Sequence, residues 1–303
     1  MFFVGAGLVE SFVLLRRERP DAIFIKGGFV GVPVGLVAAF LNIPYITHDS
    51  DAVPGLANRL IAKWAVAHAV AMPKEAYSYP KAKTYHTGVP VSDKYSLVTA
   101  EKQSTYKKEL HLDPKNPVLF ITGGGLGAVR LNDAVVAIAK KLLARHPRLR
   151  ILHIAGPGKA TSLYEAYKQL LGAKAVQVEV KEFVQDMYRY SGAADVIVAR
   201  AGATTLAEFA AQAKACIIVP NQNLTGGHQL KNAEILAKDE AIVSVADDAV
   251  QKNPELLLQQ IECLLDDPKA RLHLARNLHA TAVKDAAKSL AELIMQVYHK
   301  ARS

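Results

Sequence analysis

The stretch RAGATTLAEFAAQAKACIIVPNQNLTGGHQLKNAE, residues 200–234, carries hydrogen-bonding side chains at successive strand and helix ends. Ala203, Thr204 and Thr205 fall at an expected helix N-terminus, and Glu208 lies about one turn further on. Threonine hydroxyls there can cap the helix or donate to a phosphate, and a carboxylate one turn along can accept both hydroxyls of a ribose. The same T-x-x-E spacing suits a capping box, in which Thr205 and Glu208 serve only the helix itself. Spacing leaves both readings open. The continuation adds Gln222, His228, Gln229 and Asn232, amide and imidazole groups of the kind that read sugar hydroxyls. A lone histidine at that place more often caps a helix; the set together has the composition of a site.

A second candidate is LFITGGGLGAVRLN, residues 119–132, which reads as strand, glycine-rich turn and helix. Glycines let backbone N–H groups approach an anion, and a helix N-terminus adds unsatisfied donors and partial positive charge. A phosphate or diphosphate fits that chemistry, and so does a tight strand-to-helix turn with no ligand. The Lys-Ser/Thr pair of a P-loop is absent. IKGGFVGVP, with Gly27 and Gly28, and HIAGPGK present the same choice twice more. His48, Asp49, Ser50 and Asp51 form a polar turn whose acid and base groups could move a proton.

These residues need elements to hold them. From Asp21 onward, short β-rich runs (DAIFIKGG, PYITHDS, HAVAMP) alternate with helical ones (VPVGLVAAFLN, GLANRLIAKWAV). That is the pattern of a parallel sheet covered by helices, an α/β fold. TYHTGVPVSD ends this half, and a charged connector follows. A second series runs from PVLFITGGG to AIVSV, with helices expected at 128–145, 160–171, 185–192, 204–213 and 228–238, and a strandless helical region closes the chain. We expect two Rossmann-like domains facing a cleft, with ligands beyond the carboxyl ends of the strands. The boundaries are a first domain at 1–96, a linker at 97–115, a second domain at 116–284 and a C-terminal helix at 285–303. The apolar run 29–46 approaches the length of a membrane span, but Pro33, Asn42 and Pro44 divide it into a strand, a helix and a strand.

Composition narrows the partners. A chain of 303 residues, 50% of them apolar, suits two domains with real cores. A net charge of +9 favours an anionic partner: a nucleotide, nucleic acid or an acidic membrane surface. Nucleic acid is disfavoured, since the basic residues are not interleaved with aromatics in any known module. Cys216 and Cys263 stand far apart, with no C-x-x-C, which argues against zinc or a disulfide framework and for a reducing cytoplasm. The N-terminal apolar stretch puts its arginines after the run, the reverse of a secretory signal, and reads as an amphipathic helix ending at Arg16 to Pro20.

In order, the words GGFVGVP, HDSDAVPGLANRLIAKWA, TGVPV, GGGLGAVRLN, EFVQDM, ADVIVARAGATTLAE and HQLKNA resemble the MurG family, UDP-N-acetylglucosamine transferases of glycosyltransferase family 28 with the two-domain GT-B fold. The resemblance implies an inverting hexosyltransferase that moves GlcNAc from UDP-GlcNAc to a lipid-diphosphate-linked sugar, lipid I to lipid II of peptidoglycan synthesis. It implies no cofactor and no metal; the D-x-D at 49–51 is read as the family's acidic turn on the acceptor side. Carried over by position, Val184 and Met187 would lie at the uracil, and Ala203, Thr204 and Thr205 against the nucleoside and diphosphate. Glu208 would hold the ribose, His228 and Gln229 would read GlcNAc, and the loop with Gly124, Gly125 and Gly127 would close over the phosphates. The first half would bind the acceptor, with Gly27, Gly28, Asp51, Ser92 and Lys94 near its diphosphate and His48 or Asp49 as the base. A peripheral place at the inner face of the cell membrane is expected, where VPVGLVAAFLNIP with Arg16, Arg17, Arg59 and Lys63 would meet anionic lipid.

Departures accompany the likeness. Where the family has S-Q-G-A, this sequence has Gly125, Leu126, Gly127 and Ala128. Ser92 stands where an arginine usually follows TGVPV, with Lys94 as a substitute cation. The family's opening strand and G-G-T-G-G-H loop have no counterpart here, which suggests a start assigned too late or a separate polypeptide supplying that segment. A non-catalytic, partner-dependent UDP-sugar-binding subunit is therefore the alternative reading. A nucleotide-sugar epimerase of the same fold is a third, with few acid–base groups to support it.

Overall fold

The computed structural model describes residues 2–125, 127–223 and 225–302, with no side-chain description at 2–4 and 225; the expectation at Leu126 lies outside the described residues. The chain divides into two compact units. The first takes residues 1–91, 225–228 and 283–303, and the second residues 92–224 and 229–282.

The first unit opens with α1 (Phe2–Glu18), followed by β1 (Ile23–Ile25), α2 (Gly31–Phe40), β2 (Tyr45–Asp49), α3 (Leu56–Ile61), β3 (Ala67–Val70) and β4 (Thr84–His86). Its four strands are parallel in the order β1-β2-β3-β4. One face is closed by Leu15 of α1, Val37 and Ala38 of α2 and Ile61 of α3 around Tyr45. The other is closed by the last helix of the chain, α13 (Ala286–Arg302), whose Leu290 and Leu293 pack on Ile46, Ala67 and Ala69. Two covered faces explain why β2 and β3 are buried at every residue, their polar Thr47, His48, Asp49 and His68 included. No described helix is long and apolar enough to cross a membrane.

The second unit begins with α4 (Ala100–Glu109) and continues β5 (Val118–Thr122), α5 (Val129–Arg145), β6 (Arg150–Ile154), α6 (Ala160–Leu171), β7 (Val178–Lys181), α7 (Met187–Ala193), β8 (Val196–Ala199), α8 (Ala203–Gln212) and β9 (Cys216–Ile218). After α9 (His228–Lys238), whose first residue clusters with the other unit, come β10 (Val243–Ser244), α10 (Asp247–Lys252), α11 (Glu255–Asp266) and α12 (Pro268–Ala280). The six strands are parallel in the order β10-β9-β8-β5-β6-β7. Helix α5 buries Leu131, Val135, Ile138, Leu142 and others at three- and four-residue spacing against β5 and β6. Helix α12 starts where sequence signals demand: Asp267 caps the N–H groups of Lys269 and Ala270, and Pro268 occupies the first turn.

Candidate functional site

In the second sheet the strand order reverses at β5, which has β8 on one side and β6 on the other. Loops leaving β5 and β8 therefore diverge to opposite faces and open a crevice at the carboxyl ends of these strands, where ligands bind in such sheets. A cavity of about 500 Å³ lies there, lined by Gly124, Gly125 and Gly127 after β5, Gly202 and Thr205 after β8, and Asn221 and Gln229 further along.

The glycine loop is built for close approach. Gly124 and Gly127 have φ of 78° and 69°, and the Gly127 N–H donates to Gly124 O at 2.9 Å. A Cβ on Gly127 would sit 2.4 Å from the Ala155 carbonyl oxygen, so the loop has no room for a side chain there. That carbonyl is fixed in turn by Asn132 of α5, whose Nδ2 donates to it at 3.1 Å. Asn132 Oδ1 accepts from His153 Nε2, which leaves His153 Nδ1 to accept the Tyr167 hydroxyl at 2.8 Å. Burial pushes the His153 imidazole down to about 3, so the network is held by a neutral ring.

Three charged residues that the sequence reading did not single out complete the crevice. Arg200, at the end of β8, is buried; its guanidinium donates to Val219 O at 2.9 Å and to Asp247 Oδ1 at 2.6 Å. Arg130 Nη1, in the first turn of α5, lies 3.5 Å from Asp247 Oδ2. The Arg130 side chain is 46% exposed, so its remaining donors reach the cavity. A guanidinium beside a helix N-terminus and a glycine loop is chemistry for an oxyanion, a phosphate above all. Arg200 and Arg130 both lie within stretches already quoted; Asp247 is far along the chain, and only the fold brings it near.

The expected donor residues divide. Thr205 lines the cavity from the first turn of α8. The helix starts at Ala203 with Gly202 as its N-cap and no side-chain cap, so the capping-box alternative for Thr205 is not formed. Ala203 and Val184 are buried, Met187 opens α7, and Thr204 is exposed. Gln229 Oε1 accepts the Asn221 N–H at 2.9 Å, and Gln229 lines the cavity. Glu208 is half-buried; burial pushes its carboxyl up to about 7, while a hydrogen bond from the Tyr95 hydroxyl pulls the other way. Asn232 is fully buried, donates to Ala201 O at 3.0 Å and serves the fold. Gln222 is exposed and donates to Asp248 at 2.9 Å. His228 clusters with the first unit, its Nδ1 3.1 Å from Val53 O. Lys94 Nζ lies 5.4 Å from the Tyr188 ring centroid and Ser92 is exposed; this cavity is lined by Arg130 and by neither of them.

In the first unit, β2 delivers His48 and Asp49 to its carboxyl end. Both are buried. Asp49 Oδ1 accepts from the Gly55 N–H at 3.1 Å and Asn58 Nδ2 at 2.9 Å, and Oδ2 accepts the Tyr79 hydroxyl at 2.8 Å. His48 Nε2 donates to Gly88 O at 3.0 Å, which leaves Nδ1 as the acceptor, 3.4 Å from Ser50 Oγ. Burial pulls the His48 imidazole below its ordinary value, so it is neutral and basic at Nδ1. Gly27 and Gly28 have φ of 100° and 81°, and Gly27 packs against the Asn58 amide, whose Oδ1 is buried with no hydrogen-bond partner among the described residues. Asp51 gives its carbonyl to the Tyr77 hydroxyl at 2.9 Å.

The chain is similar to known proteins along its length. The model of the glycosyltransferase family 28 N-terminal domain matches residues 1–70, and that of the C-terminal domain matches residues 118–290. A curated relative from Citrifermentans bemidjiense, named UDP-N-acetylglucosamine–N-acetylmuramyl-(pentapeptide) pyrophosphoryl-undecaprenol N-acetylglucosamine transferase, is 30% identical over 95% of this chain and 77% of its own. Acinetobacter baumannii MurG superposes with a TM-score of 0.79 at 26% identity, over 97% of this chain and 79% of that one. UDP-GlcNAc 2-epimerase from Neisseria meningitidis, solved with UDP-GlcNAc, gives a TM-score of 0.69 at 12% identity, covering 97% of this chain and 81% of that one, a likeness of fold alone.

Proposed function

The chain belongs to glycosyltransferase family 28 and has the GT-B fold, and from that premise we propose that it transfers GlcNAc from UDP-GlcNAc to a lipid-diphosphate-linked sugar, the step from lipid I to lipid II. The observation that carries this reading is the crevice at the β5/β8 reversal, where glycine-loop N–H groups, the N-terminus of α5 and Arg130 converge on one cavity.

In the proposed reaction the acceptor hydroxyl oxygen attacks the anomeric carbon as the bond to the UDP oxygen breaks, with inversion. Negative charge grows on the diphosphate, and fixed donors in the crevice stabilise it without rearranging. Thr205 and Gln229 hold the phosphate and sugar, and Glu208 takes the ribose diol. The acceptor proton goes to His48 Nδ1, the nitrogen left without a proton by the Gly88 contact. Asp49, engaged at both oxygens, fixes the turn that presents His48.

For membrane attachment, α3 presents Leu56 and Leu60 one turn apart, both exposed, with Arg59 and Lys63 at the same spacing beside them. Phe29 before α2 and Phe40 at its end are exposed too. Such a mixture suits an anionic lipid surface.

The second reading, a UDP-sugar-binding subunit without turnover, is favoured by the burial of His48 and Asp49. One experiment separates them: calorimetric titration of UDP-GlcNAc and UDP into wild type and Glu208→Ala, alongside turnover with a lipid-diphosphate sugar acceptor. Binding lost in Glu208→Ala together with turnover supports the transferase. Binding without turnover supports the subunit, and no binding overturns both.

A further inference from the structure

At the amino end of the second sheet, opposite the crevice, β5 and β8 begin side by side and Asp195, just before β8, ties them together. Its Oδ2 accepts the Val118 N–H at 2.8 Å and Lys107 Nζ of α4 at 2.8 Å, and its Oδ1 accepts Gln103 Nε2 at 3.2 Å. Lys107 Nζ also donates to Asn116 O at 2.8 Å, and its side chain is 6% exposed. A second buried amine is close by: Lys214 Nζ donates to Gly192 O at 3.1 Å, and the next two carbonyls, of Ala193 and Ala194, accept Gln103. Burial pulls Lys214 down to about 8, with Asp195 holding it up and Lys107 pushing it further down. Two buried ammonium groups thus share one carboxylate that three donors already engage. An excess of buried charge is costly until something offsets it.

These groups back a cavity of about 350 Å³ lined by Gln103, Ser104 and Lys107 of α4, Lys115 before β5, Asp195, and Arg271 of α12. Arg271 is oriented through Nη1, which donates to Leu264 O at 2.5 Å and Leu265 O at 2.8 Å, at the end of α11. A guanidinium carries five N–H donors and an ammonium three, so Arg271 and Lys107 each have donors beyond these bonds. Lys115 is exposed and placed by a tight turn: Asp113 Oδ1 accepts its N–H at 2.9 Å, and Asp113 O accepts the Asn116 N–H at 3.0 Å.

We propose that this cavity binds a phosphate-class dianion, held between Lys115 and Arg271 with Lys107 beneath it and the Ser104 hydroxyl as a further donor. Phosphate oxygens match the guanidinium fork and the ammonium donors, and two negative charges offset the buried positive excess. The site is separate from the crevice, since the five residues of β5 hold the two ends of the sheet about 15 Å apart.

The test is titration of inorganic phosphate into the isotope-labelled full chain near neutral pH, with chloride keeping the ionic strength constant so that screening is fixed. Backbone amide resonances of Ser104 and Asn116 report this cavity, and those of Gly125 and Gly127 report the crevice. In wild type, Ser104 and Asn116 are expected to move together on one saturable curve with a midpoint below about 10 mM. Lys115→Met, at an exposed position, should raise that midpoint about tenfold, the worth of one charge-assisted contact, and leave the glycine-loop curve where it was. Arg130→Met should do the reverse. Shifts confined to the glycine loop, or a Ser104 and Asn116 midpoint unmoved by Lys115→Met, overturn the proposal. A curve with no midpoint below about 10 mM overturns it as well and makes phosphate an adventitious ion only.

Discussion

Arg200 and Asp247 form a buried ion pair, 2.6 Å from Nη1 to Oδ1, that joins the end of β8 to the first residue of α10. Removing the acid strands a guanidinium in the interior, and breaking a buried pair by deleting one partner costs roughly 3–5 kcal/mol. Asp247→Ala should therefore lower the midpoint of denaturant unfolding of the second unit well beyond any surface substitution. A variant that unfolds like wild type would show that Arg200 finds another partner.

Arg130 is placed differently, half-exposed and only 3.5 Å from the same carboxylate. Arg130→Met should leave stability nearly unchanged and weaken UDP by about 10- to 100-fold, the worth of a charge-assisted hydrogen bond of roughly 1.5–3 kcal/mol. The loss should shrink as salt is raised, and it should be small for uridine. Equal loss for uridine and UDP would remove Arg130 from the diphosphate.

The glycine loop gives a paired test. Gly127→Ala forces a Cβ toward the Ala155 carbonyl at positive φ, whereas a Cβ on Gly125 meets open space. Gly127→Ala should cost more than about 1 kcal/mol and weaken UDP, while Gly125→Ala should do neither. Calorimetry on the two variants decides it.

Acid should loosen the network under that loop. His153 is held to about 3 by burial against an ordinary value of 6.5. Between these values the unfolded chain binds the proton that the folded one refuses, so stability falls as pH drops below about 6.5 and continues to fall until about 3. His153→Asn should flatten the slope of unfolding free energy against pH across that window, read from denaturant curves at pH 7 and 5.

For the surface patch, Arg59→Ala with Lys63→Ala should weaken binding to vesicles containing anionic lipid by about 30-fold, at roughly 1 kcal/mol for each charge. Vesicles of neutral lipid should not distinguish the variant. Vesicle sedimentation at two salt concentrations measures both effects.

The strand and helix pattern was legible in the sequence because parallel strands covered on both faces become apolar runs, as in VLFI of β5 and VIVA of β8, and helices show their faces by spacing, as in α5. The glycine turns were legible as backbone features, and their meeting with Thr205 followed from the strand reversal at β5. What stayed hidden were contacts between distant segments. Asp247 carries no local signal; its task comes from Arg200, 47 residues earlier. Tyr95 stands in the charged connector, and only the fold brings its ring against Tyr188 of α7. Asn232 misled in the opposite direction, since an amide at a helix start reads as a ligand group until burial shows that it ties α9 to Ala201.

The packing of α13 on β2 and β3 also sets an order of events during synthesis. Strands β2 and β3 leave the ribosome long before α13, so their second face waits for Leu290 and Leu293. The second unit can close its own sheet earlier, from residues 92–282. For much of its synthesis the nascent chain thus carries an apolar parallel sheet open on one side, the kind of surface that recruits chaperones. Loss of α13 should therefore damage a sheet whose strands were made long before it.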